Sequence, residues 1–208
     1  MRSLIDEYER LSPYLLLRNL PQLALNQIPP ALRTAWGEVP VEAWELLETA
    51  AFFFFRQVLM LETYRLGSAC LFKSEPEGIV LVNRGHKPFA LLYECKARSE
   101  GYKMSSDDLL RYQDYLKRKR EQIQVRYHLP LTHFTIISSS FGGEIKTRVE
   151  EIIQSGFVLS LVPAVCLMSI YDQALSRDYT DVQLLNCHRL FHSGLVDETC
   201  TLQCWDST

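Results

Sequence analysis

From Leu4 to Leu25 apolar residues recur at helical spacing, broken at Pro13 and Pro21, and Pro29-Pro30 closes the segment. Proline interrupts the helical hydrogen-bond ladder, so the pattern predicts short helices or an arm. Val39-Pro40-Val41-Glu42 then opens a long helical pattern to about Leu66, with Pro40 suited to a first turn and Gly67 to a stop. Phe52 to Phe55 cover more than half of that helix's circumference, which predicts a central position rather than a surface one.

Gly78 to Val82 and Phe89 to Cys95 flank the turn-rich Asn83 to Pro88 and read as a hairpin of two strands. Both are apolar on both faces, which implies helices covering each side of a sheet, as in α/β proteins. Beyond them the spacing predicts a polar helix from about Ser105 to Ile123 and a strand at Phe134 to Ser138. A helix from about Glu144 to Ile153, a buried strand at Phe157 to Leu161, and closing helices at Pro163 to Leu175 and Asp181 to Phe191 complete the pattern.

Composition narrows the class. The 208 residues are 47% hydrophobic with net charge -3, which fits one domain able to bury a core without disulfide or metal staples. The charge argues against a wholly basic nucleic-acid binder and leaves room for a local basic face. The longest apolar run, Ala50 to Phe55, falls far short of a spanning helix. Asp6, Glu7 and Glu9 occupy the region where a signal peptide needs its apolar centre, so a cytoplasmic location with reduced cysteines is expected.

The chemistry concentrates at the hairpin. Residues i and i+2 of a strand share a face, so Glu94 and Lys96 project together. With the turn centred between Gly85 and His86, Glu77 falls opposite Glu94. Facing carboxylates about 5 Å apart repel unless something neutralises them. Two carboxylates plus the Cys95 backbone carbonyl make a hard oxygen site of the kind Mg²⁺ accepts, with Mn²⁺ as a substitute. Lys96 would orient or deprotonate an attacking water, or stabilise charge on a phosphate. This is apparatus for metal-assisted phosphodiester hydrolysis; the plainer alternative is a strand-end ion pair of Glu77 with Lys96. Cys187, His188, His192, Cys200 and Cys204 match no standard zinc spacing.

Several stretches together resemble the FokI-type cleavage domains of type IIS restriction endonucleases, within the PD-(D/E)xK nuclease superfamily. They are Leu32-Arg33, Val39 to Glu48, Pro76-Glu77-Gly78, Glu94-Cys95-Lys96-Ala97, Gly101-Tyr102, Ser139 to Lys146, Gly156 to Ser160 and Phe191 to Gly194, spanning residues 32 to 196. The resemblance implies a restriction-endonuclease-like mixed central sheet flanked by helices. An N-terminal helical arm over residues 1–31, a nuclease core over 32–198 and a tail over 199–208 complete the expected organisation. It further implies that Glu77 and Glu94 hold metal and that Lys96 assists the water. The family's usual Asp is replaced by Glu77, one methylene longer. Glu48 and Glu62 are assigned no catalytic role and are expected to be solvated helix residues, the alternative being a supporting role beside the site.

The segment from Glu94 to Arg126 carries net +3, leaving -6 for the rest. Arg98, Lys103, Lys117, Arg118, Lys119 and Arg120 are therefore candidates to hold DNA phosphates without reading bases. An exposed helix end accounts for Lys117 to Arg120 equally well. The resemblance makes the helix after the catalytic strand a dimer interface, which would use Asp107, Asp108, Arg111 and Asp114; surface salt bridges within one chain explain them as well. The expected function is a Mg²⁺-dependent DNA endonuclease, the small cleavage subunit of a heterodimeric type IIS enzyme whose larger partner supplies recognition and cuts the other strand, or a domain pairing with a second copy. The alternatives are a non-catalytic assembly module with a decayed site, or a solitary nuclease of another defence or repair system.

Overall fold

The computed structural model describes residues 13–36, 41–66, 75–85, 87–143 and 145–205. Among these residues six strands form one mixed sheet in sequential order: β1 (Glu62–Arg65), β2 (Gly78–Val82), β3 (Phe89–Lys96), β4 (Leu131–Ser138), β5 (Val158–Pro163) and β6 (Gly194–Leu195). The β1–β2 and β2–β3 pairs are antiparallel, and β3 to β6 run parallel. Every residue of β2, and every residue of β3 except Lys96, is buried. The doubly apolar hairpin is thus a consequence of cover on both faces.

Ten helices supply that cover: α1 (Pro13–Arg18), α2 (Leu20–Ala24), α3 (Pro30–Trp36), α4 (Ala43–Phe53), α5 (Ser106–Tyr127), α6 (Ile145–Gln154), α7 (Ala164–Leu175), α8 (Tyr179–Leu184), α9 (Cys187–Leu190) and α10 (Glu198–Gln203), counted among the described residues. On one face Leu109, Tyr112, Tyr115 and Leu116 of α5 and Val149 and Ile152 of α6 pack against Ile79, Leu92, Phe134 and Ile136. On the other, Leu16, Leu17, Leu20 and Leu23 of α1 and α2 join α4 and α7 over Val80, Leu91, Tyr93 and Ile137. The short N-terminal helices expected from the proline spacing therefore share the main core. The alternation of β3 sends Leu91, Tyr93 and Cys95 to this second face, and Leu92, Glu94 and Lys96 toward α5.

Two expectations need correction. The helical pattern to Leu66 ends as an α-helix at Phe53, continues as a π turn at Phe54–Val58, and gives way to strand β1. The wider turn lets Phe54, Phe55 and Val58 all point into the core; Phe55 packs on Tyr93 and Phe191 with centroids 5.0 and 5.9 Å away. The chain then reverses at Met60, whose φ of 54° is left-handed, with no glycine or proline between Phe53 and Glu62 to mark the change. The continuous helix expected over Asp181 to Phe191 is also split. The Asn186 side chain accepts from the His188 and Arg189 N–H groups and starts α9 anew. The expected tail contains α10, with Thr201 and Cys204 buried. The Val39-Pro40 helix start, the Gly67 stop, the beginning of the N-terminal segment, His86 and Cys70 lie outside the described residues.

Candidate active site at the end of the β2–β3 hairpin

The hairpin register pairs Ile79 with Leu92 and Gly78 with Tyr93, so Glu77 and Glu94 meet just beyond the last pair. The backbone of Glu77 is tied on both sides. Its N–H donates to the Tyr93 carbonyl at 3.1 Å, and its carbonyl accepts from the Leu66 N–H at 2.8 Å. Gly78 makes this closeness possible: a Cβ there would lie 2.4 Å from Tyr93 Cε1 and 2.5 Å from the Tyr64 carbonyl oxygen.

Glu94 projects toward α5 and is almost wholly buried. Its Oε1 lies 2.6 Å from Lys96 Nζ and 3.5 Å from the Arg111 guanidinium. Its Oε2 and the Tyr115 hydroxyl are both buried without a well-directed hydrogen bond, and the Tyr115 hydroxyl lies close enough to interact with the Glu94 carboxylate. The end of β3 is held by β4, where the buried Ser138 donates to the Lys96 carbonyl at 2.7 Å and Ser139 to the Arg98 carbonyl at 2.7 Å. These serines fix the strand that presents Glu94 and Lys96.

A third carboxyl joins from α4. The Glu48 carboxyl lies close enough to that of Glu77 for each to shift the other's proton affinity, and a proton held by one can be shared with the other. Burial, and then the charges of Glu94 and Glu48, push the Glu77 carboxyl up to about 9, with Lys96 opposing. Burial pushes Glu48 up to about 7, opposed by hydrogen bonding with Glu77 and the Arg65 charge. Glu48 is thus a partly buried neighbour of the site, which corrects its reading as a solvated helix residue. Glu62 is exposed, on strand β1 rather than a helix, and accepts from the Tyr64 hydroxyl. Burial, then the negative charge of Glu77 and Glu48, pushes the Cys95 thiol well above its ordinary value. It is a neutral packing group.

The other predicted residues divide. Arg98, Lys103 and Lys117 are exposed, the first two in the loop that leaves β3. Arg118 contacts Asp114 at 2.8 Å and Glu75 at 3.4 Å, and Lys119 lies 2.7 Å from Glu75. Arg120 covers the Phe157 ring at 4.2 Å and donates to the Gly156 carbonyl. Of the acidic and basic residues on α5, Asp107 is exposed. Asp108 caps the helix against Ser105 and holds Arg111 at 2.7 Å. Arg111 therefore sits between Asp108 and Glu94. In the cysteine and histidine set, Cys200 Sγ lies 3.8 Å from His192 Nε2 while Cys187 accepts from Arg84 at 3.3 Å. Among the described residues no three His, Cys, Asp or Glu side chains form a ready-made metal cluster.

Sequence reasoning missed Glu48, Glu75, Ser138 and the approach of Arg111 to Glu94. The one available signal for Glu48 was its place beside Leu47 and Thr49 in a helix whose buried arc is unusually wide.

A mixed sheet with two acids and a lysine at the end of its central hairpin defines a restriction-endonuclease-like domain. The family described as FokI, cleavage domain, matches residues 38–191, and the chain belongs to that family. The structure of restriction endonuclease FokI shares the fold at a TM-score of 0.58 and 17% identity, over 74% of this chain and 28% of that one. FokI bound to DNA does so at 0.61 and 16%, over 87% and 30%. The chain thus spans less than a third of the length of the enzyme it resembles. No curated protein sequence matches it. Among the described residues no helix is long and apolar enough to cross a membrane.

Proposed function

We propose that the chain is a divalent-metal-dependent DNA endonuclease domain in which Glu77 and Glu94, with the Cys95 carbonyl, hold Mg²⁺ or Mn²⁺ and Lys96 assists the attacking water. The observation that carries this reading is the meeting of Glu77, Glu94 and Lys96 at one strand end in a member of the FokI cleavage-domain family. The donor set fits a hard dication. Glu94 Oε2 is buried and makes no well-directed hydrogen bond within the chain, and burial with the neighbouring acid charges raises the proton affinity of Glu77. One or two carboxylates suffice for an ion that keeps several waters.

When bound, the ion supplies charge neutralisation at the scissile phosphate and a lowered pKa for its water. Glu94 meanwhile holds the Lys96 ammonium at 2.6 Å, at the strand end where it would assist an attacking water. Arg111 remains as a second positive charge on Glu94 when Lys96 turns to the substrate. Exposed Arg98, Lys103 and Lys117 supply phosphate contacts that are independent of sequence. Because the family match covers a cleavage domain, we assign recognition and the second-strand cut to a larger partner subunit, or the second cut to another copy of this domain.

Incubation of the full chain with supercoiled plasmid and Mg²⁺ or Mn²⁺, alone and with candidate partner subunits, tests the reading. Glu94→Gln and Lys96→Ala are each expected to lower cleavage by about 100-fold or more while circular dichroism stays unchanged. Wild-type rates in both folded variants would sink the assignment. Robust site-specific cleavage by the isolated chain would remove the need for a recognition partner.

A further inference from the structure

The segment that delivers Glu77 is anchored from an unexpected side. Glu75, two residues upstream, has a side chain only 10% exposed, with Oε2 2.7 Å from Lys119 Nζ and Oε1 3.4 Å from Arg118. Lys119 is itself 15% exposed, whereas its neighbours Lys117, Arg118 and Arg120 are exposed. The Lys119 approach lies off the hydrogen-bond direction, so the pair is held by charge. An ammonium so withdrawn from water is costly to bury without an opposite charge beside it, and Glu75 supplies that charge. Pro76, buried, links the two acids and limits the chain's freedom between them.

We propose that Glu75 is a positioning residue: clamped by Lys119 and Arg118, it locks the approach to β2 onto α5 and thereby sets the Glu77 carboxyl against Glu94. The same helix reaches Glu94 through Arg111, one turn beyond its capped start. Helix α5 therefore references both acids, Glu94 through Arg111 and Glu77 through Glu75. The basic run is divided accordingly. Lys117 faces solvent for phosphate contacts, while Lys119 serves the site from within. The inference rests on the reading of Glu77 and Glu94 as metal-holding acids.

The test measures Mn²⁺ binding by calorimetry and duplex DNA binding at several salt concentrations, on the full chain. Glu75→Gln and Lys119→Met are expected to weaken Mn²⁺ binding about tenfold, the size typical of residues that orient a metal ligand. DNA affinity should change little in either. The charge swap Glu75→Lys with Lys119→Glu should recover much of the Mn²⁺ affinity, which a simple loss of fold would not allow. Arg118→Gln, a milder cut in the same clamp, should fall between. Lys117→Met should weaken DNA binding and leave Mn²⁺ binding alone. Wild-type Mn²⁺ affinity in both single variants, with DNA binding abolished in Lys119→Met, would overturn the brace and make Lys119 a phosphate contact. If instead the unsubstituted chain binds no Mn²⁺, the metal reading fails and the brace falls with it.

Discussion

Glu77→Gln should make the metal-free protein more stable, and by an amount that depends on pH. The Glu77 carboxyl is raised from 4.5 to about 9, so between these values the folded state keeps a proton that the unfolded chain has released. Stability is then lost progressively as pH rises through that window and is fully present below it. For one isolated group the penalty at pH 8 would reach about 5 kcal/mol. Glu77 and Glu48 can share one proton and are only partly buried, which reduces the expected value to about 2–3 kcal/mol. Glutamine keeps the shape, donates to Glu48 and removes the charge. For a chain of this size the gain corresponds to a rise in Tm of about 5–10 °C at pH 8, with almost none at pH 5. Thermal melts of both proteins from pH 5 to 9 in EDTA provide the assay. Adding Mg²⁺ should raise the wild-type Tm at pH 8 more than that of the variant. A variant that is equally or less stable at pH 8, or a gain independent of pH, would refute the crowded-acid account.

Two further outcomes follow from the same geometry. Gly78→Ala places a methyl against Tyr93 and the Tyr64 carbonyl; chemical denaturation should show a loss of about 2–3 kcal/mol, and plasmid cleavage should fall as the Glu77–Glu94 spacing opens. Removing Arg98, Lys103 or Lys117 should weaken DNA binding alike on unrelated sequences. The slope of log affinity against log salt, measured by filter binding, should shrink by about one for each phosphate no longer neutralised.

The hairpin and its register were legible because two independent signals agreed. Apolar runs on both sides of a turn-rich segment fixed the strands, and the symmetry of that turn fixed the register that brings Glu77 to Glu94. Much of the parallel half was legible too, since β4 and β5 are short apolar runs and α6 places Ile145, Val149 and Ile152 at helical spacing. What escaped lies where tertiary contacts override local pattern. Strand β1 is four residues, ETYR, emerging from an apolar run whose π turn leaves no mark in composition. It is held by pairing to β2 and by Arg65 donating to the Thr49 hydroxyl. Glu48 lies at the margin of a helix's buried arc, where a glutamate normally reaches solvent; only the docking of α4 against the hairpin end brings it to Glu77. Lys119 looked like one of four equivalent helix cations, although it continues the buried Leu109, Tyr112, Leu116, Ile123 spacing and Lys117 lies on the opposite side of the helix, a signal the sequence reading did not use. Its charge partner, Glu75, lies more than forty residues away in sequence.

The most direct measurement is the anomalous diffraction of crystals of the full chain soaked in Mn²⁺. The account predicts a peak between the Glu77 and Glu94 carboxylates, near the Cys95 carbonyl, that disappears in Glu94→Gln. Crystals that bind Mn²⁺ elsewhere while the Glu48, Glu77 and Glu94 carboxyls remain in contact with protons and lysine alone would contradict it.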